Sequence, residues 1–285
     1  MNPANEPKYP LRHFAALVDD AREDESIGLA AAALGIARTE YPDLDVEHYL
    51  GRLEHLAQRV RSRMRSNSSS LEVTALLRQV LFEEEGLRGN REDFYDPRNS
   101  FLNDVLDRKL GIPITLSVIY MEVARRVGFP VAGVGMPGHF LLKHYDLVSG
   151  EMFIDAFDNG RILARGECQQ RLNEIYAGQL ELQPEFLQPV THRQILTRIL
   201  HNLRQIYLKQ HNAEKTLVIL DMLLAIPPRS PELLRERALL RISVDRYVGG
   251  ARDLGMYLKL VPDAPDAKQI QETLDMVRQL LSRLN

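Results

Sequence analysis

The sequence predicts an α+β protein: N-terminal helices, then a buried helix on a small antiparallel sheet, then an all-α C-terminal domain of paired helices. Three observations lead there. Ile114–Val127 is apolar almost all round, bracketed by Gly111-Ile112-Pro113 and Gly128, which suits a helix buried at a domain centre. From Val131 the hydrophobic period changes to two, as in half-buried strands. After Thr191 a helical pattern repeats at an offset of 35 residues.

The N-terminal elements follow from caps and spacing. Leu11–Arg22 has apolar residues at helical intervals, and Ser26 is placed to cap a second helix, Ile27–Thr39. Asp45 can cap a third, with Leu50, Leu53, Leu56, Val60 and Met64 along one side. Arg59, Arg61, Arg63 and Arg65 alternate, so on a helix they spread around the cylinder as a solvated surface. Ser69 and Glu72 have capping-box spacing, and Gly86 can end that helix. Asp96-Pro97 favours a turn, with Asn99 or Ser100 capping the helix that carries Phe101, Val105 and Leu106.

In the centre, Gly111 suits the end of one helix and Pro113 the first turn of the next, where a missing N–H costs little. Arg125 and Arg126 complement the C-terminal end of its dipole. Val131–Gly135, His139–Tyr145 and Glu151–Asp155 read as three strands, with turns at Ser149-Gly150 and Asp158-Asn159-Gly160. Met136-Pro137-Gly138 can form a tight turn that presents His139.

Residues 177–191 contain Gly178, Pro184 and Pro189 without periodicity and read as a boundary, giving domains 1–180 and 190–285. Beyond it, Ile226-Pro227 recurs as Val261-Pro262, Leu223-Leu224 as Leu258-Lys259, Tyr207 as Ile242 and Thr216 as Ala251. That spacing is close to a tetratricopeptide unit, whose helix pairs stack and leave a groove.

Composition bounds the function. Lys+Arg 36 against Asp+Glu 39 gives a net charge of −3, without the basic surplus of a general nucleic-acid binder. Cys168 is the only cysteine, so neither an intrachain disulfide nor a cysteine-rich zinc site can form. The opening MNPANEPKYPLRHF lacks the pattern of a signal peptide, and the apolar stretch Ile27–Ala37 is too short to span a bilayer. The expectation is a cytoplasmic protein with no membrane contact, no direct nucleic-acid contact, no cofactor and no metal. A metal site from His139, His144 and Asp155 is disfavoured, since two residues five apart on a strand face opposite ways.

The strings FYDPRNSFLNDVLDRKLGIPITLSVIY (Phe94–Tyr120), VGMPGHFLL (Val134–Leu142) and MFIDAF, together with the helical tail, resemble the bacterial SirB family of transglutaminase-like proteins with tetratricopeptide repeats. The resemblance covers most of the chain and implies a papain/transglutaminase-like core. In active members of the wider superfamily a Cys opens the buried helix, and a His and an Asp follow on adjacent strands. A helix N-terminus favours thiolate, the imidazole moves the proton, and the carboxylate fixes its tautomer. The resemblance puts His139 at the His position and Asp155 at the Asp position, 16 residues on.

The thiol position falls at about Pro113, which has no nucleophile. Thr115 and Ser117 are the nearest hydroxyls, and Cys168 follows the Asp instead of preceding the His. The leading expectation is a protein-interaction module with a catalytically degenerate domain. Its cleft would be lined by Asn99, Pro113, Thr115, Ser117, Gly138, His139 and Asp155, and would bind a protein or peptide partner. One alternative is a non-thiol amide or ester hydrolase using His139 and Asp155. Another is a regulator of bacterial gene expression acting through protein partners.

Overall fold

The computed structural model describes residues 9–19, 23–146 and 150–284. The turn at Ser149 and most of the opening segment lie outside the described residues, as does Arg22, and the first helix ends at Leu17, earlier than its expected end at Arg22. The described chain forms two compact units. Glu23–Ile199 makes the first, and Leu200 onward, with most of the first helix, makes the second. Among the described residues no helix is long and apolar enough to cross a membrane.

The first unit is the α+β domain that the sequence predicts. Its helices are α2 (Leu29–Ala37), α3 (Val46–Arg61), α4 (Ser70–Arg78), α5 (Leu102–Arg108), α6 (Pro113–Arg126) and α7 (Arg165–Tyr176), with α1 (Tyr9–Leu17) preceding them in the chain. The caps at Asp45 and Ser69 form as their spacing predicts: Asp45 accepts from the His48 N–H at 3.1 Å, and Ser69 and Glu72 bond reciprocally. The alternating arginines are mostly paired. Arg59 reaches Glu84 and Glu85, and Arg63 reaches Glu84.

Three expected caps are replaced. Ser26 turns its hydroxyl to the Glu23 carbonyl at 2.7 Å, and α2 starts two residues later than a Ser26 cap would place it. The buried first-turn N–H of Ala30 is met by the Glu122 carboxylate at 3.1 Å, from a residue 92 positions away on α6. Neither Asn99 nor Ser100 caps α5, whose N-cap is Phe101, because the Asn99 amide is taken up by the preceding loop. Lys109 (φ 64°), not Gly111, takes the left-handed position that closes α5.

Gly111 instead lies in a short strand. β1 (Arg88–Gly89) pairs in parallel with β2 (Leu110–Gly111), an arrangement too short to leave a periodic signal. The main sheet has four strands, one more than the sequence predicts: β3 (Ala132–Val134), β4 (Leu141–Asp146), β5 (Gly150–Asp155) and β6 (Arg161–Leu163), antiparallel in chain order. Leu142 pairs with Gly133 on one side and Ile154 on the other. Strand parity places Leu141 and Phe153 on one face, where they join Leu163, Cys168, Leu172 and Leu187 in one core cluster. The other face meets α4: Thr74 Oγ1 lies 3.6 Å from Met152 Sδ, and Ser70 Oγ 3.1 Å from the His144 ring. Every residue of α6 from Pro113 to Ala124 is buried, as its all-round apolar sequence demands.

The compact units divide at Ile199/Leu200, inside α8 (His192–Lys209), later in the chain than the 177–191 boundary expected from the sequence. Residues 180–190 belong with the first unit, where Leu187 joins the core and the Val190 N–H donates to the Gly133 carbonyl at 2.9 Å. Their prolines mark an irregular path over a core, not a linker.

The second unit holds the C-terminal part of α8 and α9 (Ala213–Leu223), α10 (Pro231–Ser243), α11 (Tyr247–Leu260) and α12 (Ala267–Leu284). The repeat maps as the offset predicts. Tyr207 and Ile242 lie near the ends of the first helices of two pairs, and Thr216 and Ala251 near the starts of the second. Gly250 lets α11 approach α10 closely, since a Cβ there would stand 2.6 Å from Ile242 Cγ1 and 3.1 Å from the Ala238 carbonyl oxygen. An ionic network joins three helices. Arg237 takes Asp253 bidentately at 2.8 Å and Asp221 at 2.7 Å, and Arg241 bonds the same two carboxylates.

Candidate functional site

The turn before β4 is set by Pro137 and Gly138. The His139 N–H donates to the Met136 carbonyl at 3.1 Å, and Gly138 has φ +68°, the Pro-then-Gly pattern of a type II turn. A Cβ at Gly138 would come within 2.8 Å of Ile175 Cγ2. Arg198 of α8 clamps this turn, donating to the His139 carbonyl at 2.6 Å and the Met136 carbonyl at 3.3 Å.

His139 Nε2 lies 2.9 Å from Asp155 Oδ2. Asp155 is fully buried and ends β5, where its Oδ1 accepts the N–H groups of Phe157 at 3.0 Å and Asp158 at 3.2 Å. Arg171 of α7 donates to Asp155 Oδ2 at 3.1 Å and to Asp158 at 3.2 Å. Burial pushes the Asp155 carboxyl up. The His139 hydrogen bond and the Arg171 charge outweigh it and hold the group below the usual carboxylate range. Asp155 is thus an ionised acceptor with every lone-pair direction used. The imidazole bonded to it is oriented, with its Nε2–H spent on the carboxylate when neutral.

Phe157 forms the wall beside this pair. Its ring lies edge-on to His139 at 6.2 Å and to Phe94 at 6.1 Å, and the Arg91 guanidinium stacks over it at 5.0 Å. Gly89 leaves room for Phe157, because a Cβ there would stand 2.5 Å from the ring. Gly89 in turn pairs with Gly111, two residues before α6. Phe94 and Tyr95 are exposed and pack edge-to-face at 5.5 Å.

The expected cleft residues fall into two groups. Gly138, His139 and Asp155 come together as described. Asn99 and Thr115 share a hydrogen-bond network at the start of α6, which Pro113 opens. Pro113 is its first residue and is buried. Thr115 Oγ1 accepts the Ile112 N–H at 3.1 Å and donates to the Asn99 carbonyl at 2.7 Å. The fully buried Asn99 side chain donates to the Asp93 and Phe94 carbonyls and accepts from Asn90. Asn99 therefore shapes the loop that carries Phe94 and Tyr95. Ser117 is fully buried, and its hydroxyl has no partner among the described residues.

Cys168 lies in the core cluster under the sheet with no exposure. Burial, then the neighbouring Glu167 and Asp155 charges, push its thiol up to about 11. His144 is taken by the Pro130 carbonyl at 2.7 Å and Ser70 at 3.1 Å. Among the described residues no three His, Cys, Asp or Glu side chains converge as metal ligands. Sequence reading missed Arg171, Phe157 and Arg198. Arg171 and Arg198 have no local signal, since each reaches the site from a separate helix, whereas Phe157 closes the MFIDAF string two residues after Asp155.

The profile of the transglutaminase-like superfamily matches residues 47–201, over half of the chain. The chain belongs to that superfamily. A tetratricopeptide-repeat profile matches residues 203–275. A UPF0162 protein of Xylella fastidiosa strain 9a5c is 37% identical over 272 residues, covering 94% of this chain and 92% of that protein. Protein SirB1 of Salmonella typhimurium is 23% identical over 240 residues, covering 84% and 88%. The F-box only protein 21 of Mus musculus matches only in part: 34% over 110 residues, 36% of this chain and 18% of its own length. Within the transglutaminase-like superfamily the chain is therefore SirB-like, as its motifs indicate. Tetratricopeptide repeats generally mediate protein–protein contact.

Proposed function

We propose that the protein is a protein-interaction module whose transglutaminase-like domain has lost thiol chemistry. The observation that carries this is the start of α6. Residue 113, where the superfamily's thiol is expected, is a buried proline with no nucleophile. The lone cysteine cannot substitute, because a buried thiol pushed to about 11 is almost wholly protonated near neutral pH. His139 and Asp155 then serve as a rigid floor for a binding surface whose wall is Phe157, with Phe94 and Tyr95 exposed beside it. A single cysteine fits a reducing, cytoplasmic compartment. Control of gene expression through bound proteins is compatible with such a module.

A second reading is favoured by one observation: the oriented His139–Asp155 pair is what a general base needs. Thr115 is a poor nucleophile for it, since its hydroxyl donates to the Asn99 carbonyl, so such a hydrolase would use water. The test incubates the full chain with an amine donor and glutamine acceptor, and separately with peptide and ester panels, with and without iodoacetamide. The interaction module gives no turnover. Alkylator-sensitive turnover that disappears in Cys168→Ser would overturn it. Alkylator-insensitive turnover lost in both His139→Ala and Asp155→Ala would establish the hydrolase.

A further inference from the structure

The second unit holds a cavity of about 850 Å³, within the range of ligand-sized sites. Its apolar wall includes Leu234, Met256 and Leu260. Met256 and Leu260 are one turn apart on α11 and are 44% and 50% exposed, unusual for large apolar side chains in a concave site. Arg229 and Arg252 also line it.

These two arginines differ from their neighbours. In the same unit Arg204 pairs with Glu236, Arg235 with Asp266, Arg246 with Glu214, and Arg237 and Arg241 with Asp221 and Asp253. Neither Arg229 nor Arg252 has a carboxylate partner among the described residues. Asp253, also in the lining, is already neutralised by Arg237 and Arg241, which leaves Asp19 as the other lining carboxylate. The cavity thus joins exposed aliphatic surface to two uncommitted guanidinium forks, the donor geometry that suits carboxylates.

We propose that this cavity binds an acidic–aliphatic peptide segment of a partner protein, its carboxylates on Arg229 and Arg252 and its aliphatic side chains on Met256 and Leu260. The proposal rests on the protein-interaction reading and names the chemistry of the partner. The charges choose the sign of the ligand, and the α11 side chains supply apolar burial. Neither alone would distinguish this cavity from ordinary surface.

The test measures fluorescence anisotropy of the full chain with three labelled peptides of about eight residues: alternating Leu/Glu, Leu/Lys and Ser/Glu. The Leu/Glu peptide should bind and weaken as salt rises. Affinity should fall about tenfold or more in Arg229→Glu/Arg252→Glu, and by a smaller factor in Met256→Ser. All three positions lie on cavity walls, and a circular dichroism melt checks that each variant stays folded. The Leu/Lys peptide should bind only the charge-reversed variant. Absence of Leu/Glu binding, indifference to the charge reversal, or equal binding of Ser/Glu overturns the proposal. A parallel cross-linking capture separates the two readings. Partners retained equally by wild type and the charge-reversed variant sink this cavity while leaving the interaction module standing. Capture by neither sinks both.

Discussion

Arg171 Nη2 and His139 Nε2 converge on one oxygen, Asp155 Oδ2, at 3.1 and 2.9 Å. The carboxylate is therefore balanced by a permanent cation as well as by the imidazole. Its backbone bonds to Phe157 and Asp158 fix it at the end of β5. This arrangement has consequences for stability whether or not the site performs chemistry.

Asp155→Ala would leave the Arg171 guanidinium and the His139 ring without their shared acceptor. Breaking a buried charge pair from one side costs about 3–5 kcal/mol. His139→Ala removes one hydrogen bond to a charged group and should cost less, about 1.5–3 kcal/mol. Thermal melts should rank wild type above His139→Ala above Asp155→Ala. The reverse order would show that Asp155 is not the anchor of the site.

The same carboxyl predicts an acid response. Its folded-state pKa is depressed, so the unfolded chain binds its proton first. Its stabilising contribution is complete above the ordinary carboxylate range near pH 4 and is lost as pH falls through the folded value. Asp155→Asn should be less stable than wild type at pH 7, with a shallower loss between about pH 5 and pH 2. Parallel acid limbs would contradict this.

Cys168 should resist modification in the folded protein. With its thiol near 11, the thiolate fraction is about one in a thousand at pH 8, and burial removes access as well. Ellman's reagent should detect almost no thiol in native protein and one thiol per chain in guanidinium. Rapid native labelling would remove the argument that the residue is only a packing cysteine.

Gly250→Ala tests the helix crossing in the second unit. The added Cβ has Ile242 on one side and the Ala238 carbonyl on the other, and overpacking of this kind costs about 1–3 kcal/mol. Gly255→Ala, on the same helix with nothing within 4 Å, should be neutral or slightly stabilising. Hydrogen exchange should place the Gly250→Ala loss in α10 and α11.

Cap motifs and hydrophobic period are local, and the sequence by itself determined what depends on them. The Ser69/Glu72 box, the Asp45 cap, the buried α6, the Met136–His139 turn and the 35-residue helix-pair repeat each rest on residues within a few turns of one another. The partnership of His139 with Asp155 was legible too, through motifs that match a superfamily. Tertiary structure decided everything that reaches across the chain. Glu122, buried in the apolar helix, covers the start of α2 from 92 residues away, where Ser26 had looked like the cap. Arg171 and Arg198 complete the His139 site from two helices further along the chain. Asn99 and Thr115 fold into their own network because a buried amide and hydroxyl must be satisfied, and the nearest acceptors are loop carbonyls. Sequence period reports which face is apolar. Which distant polar group meets a buried one depends on packing, and no local pattern records it.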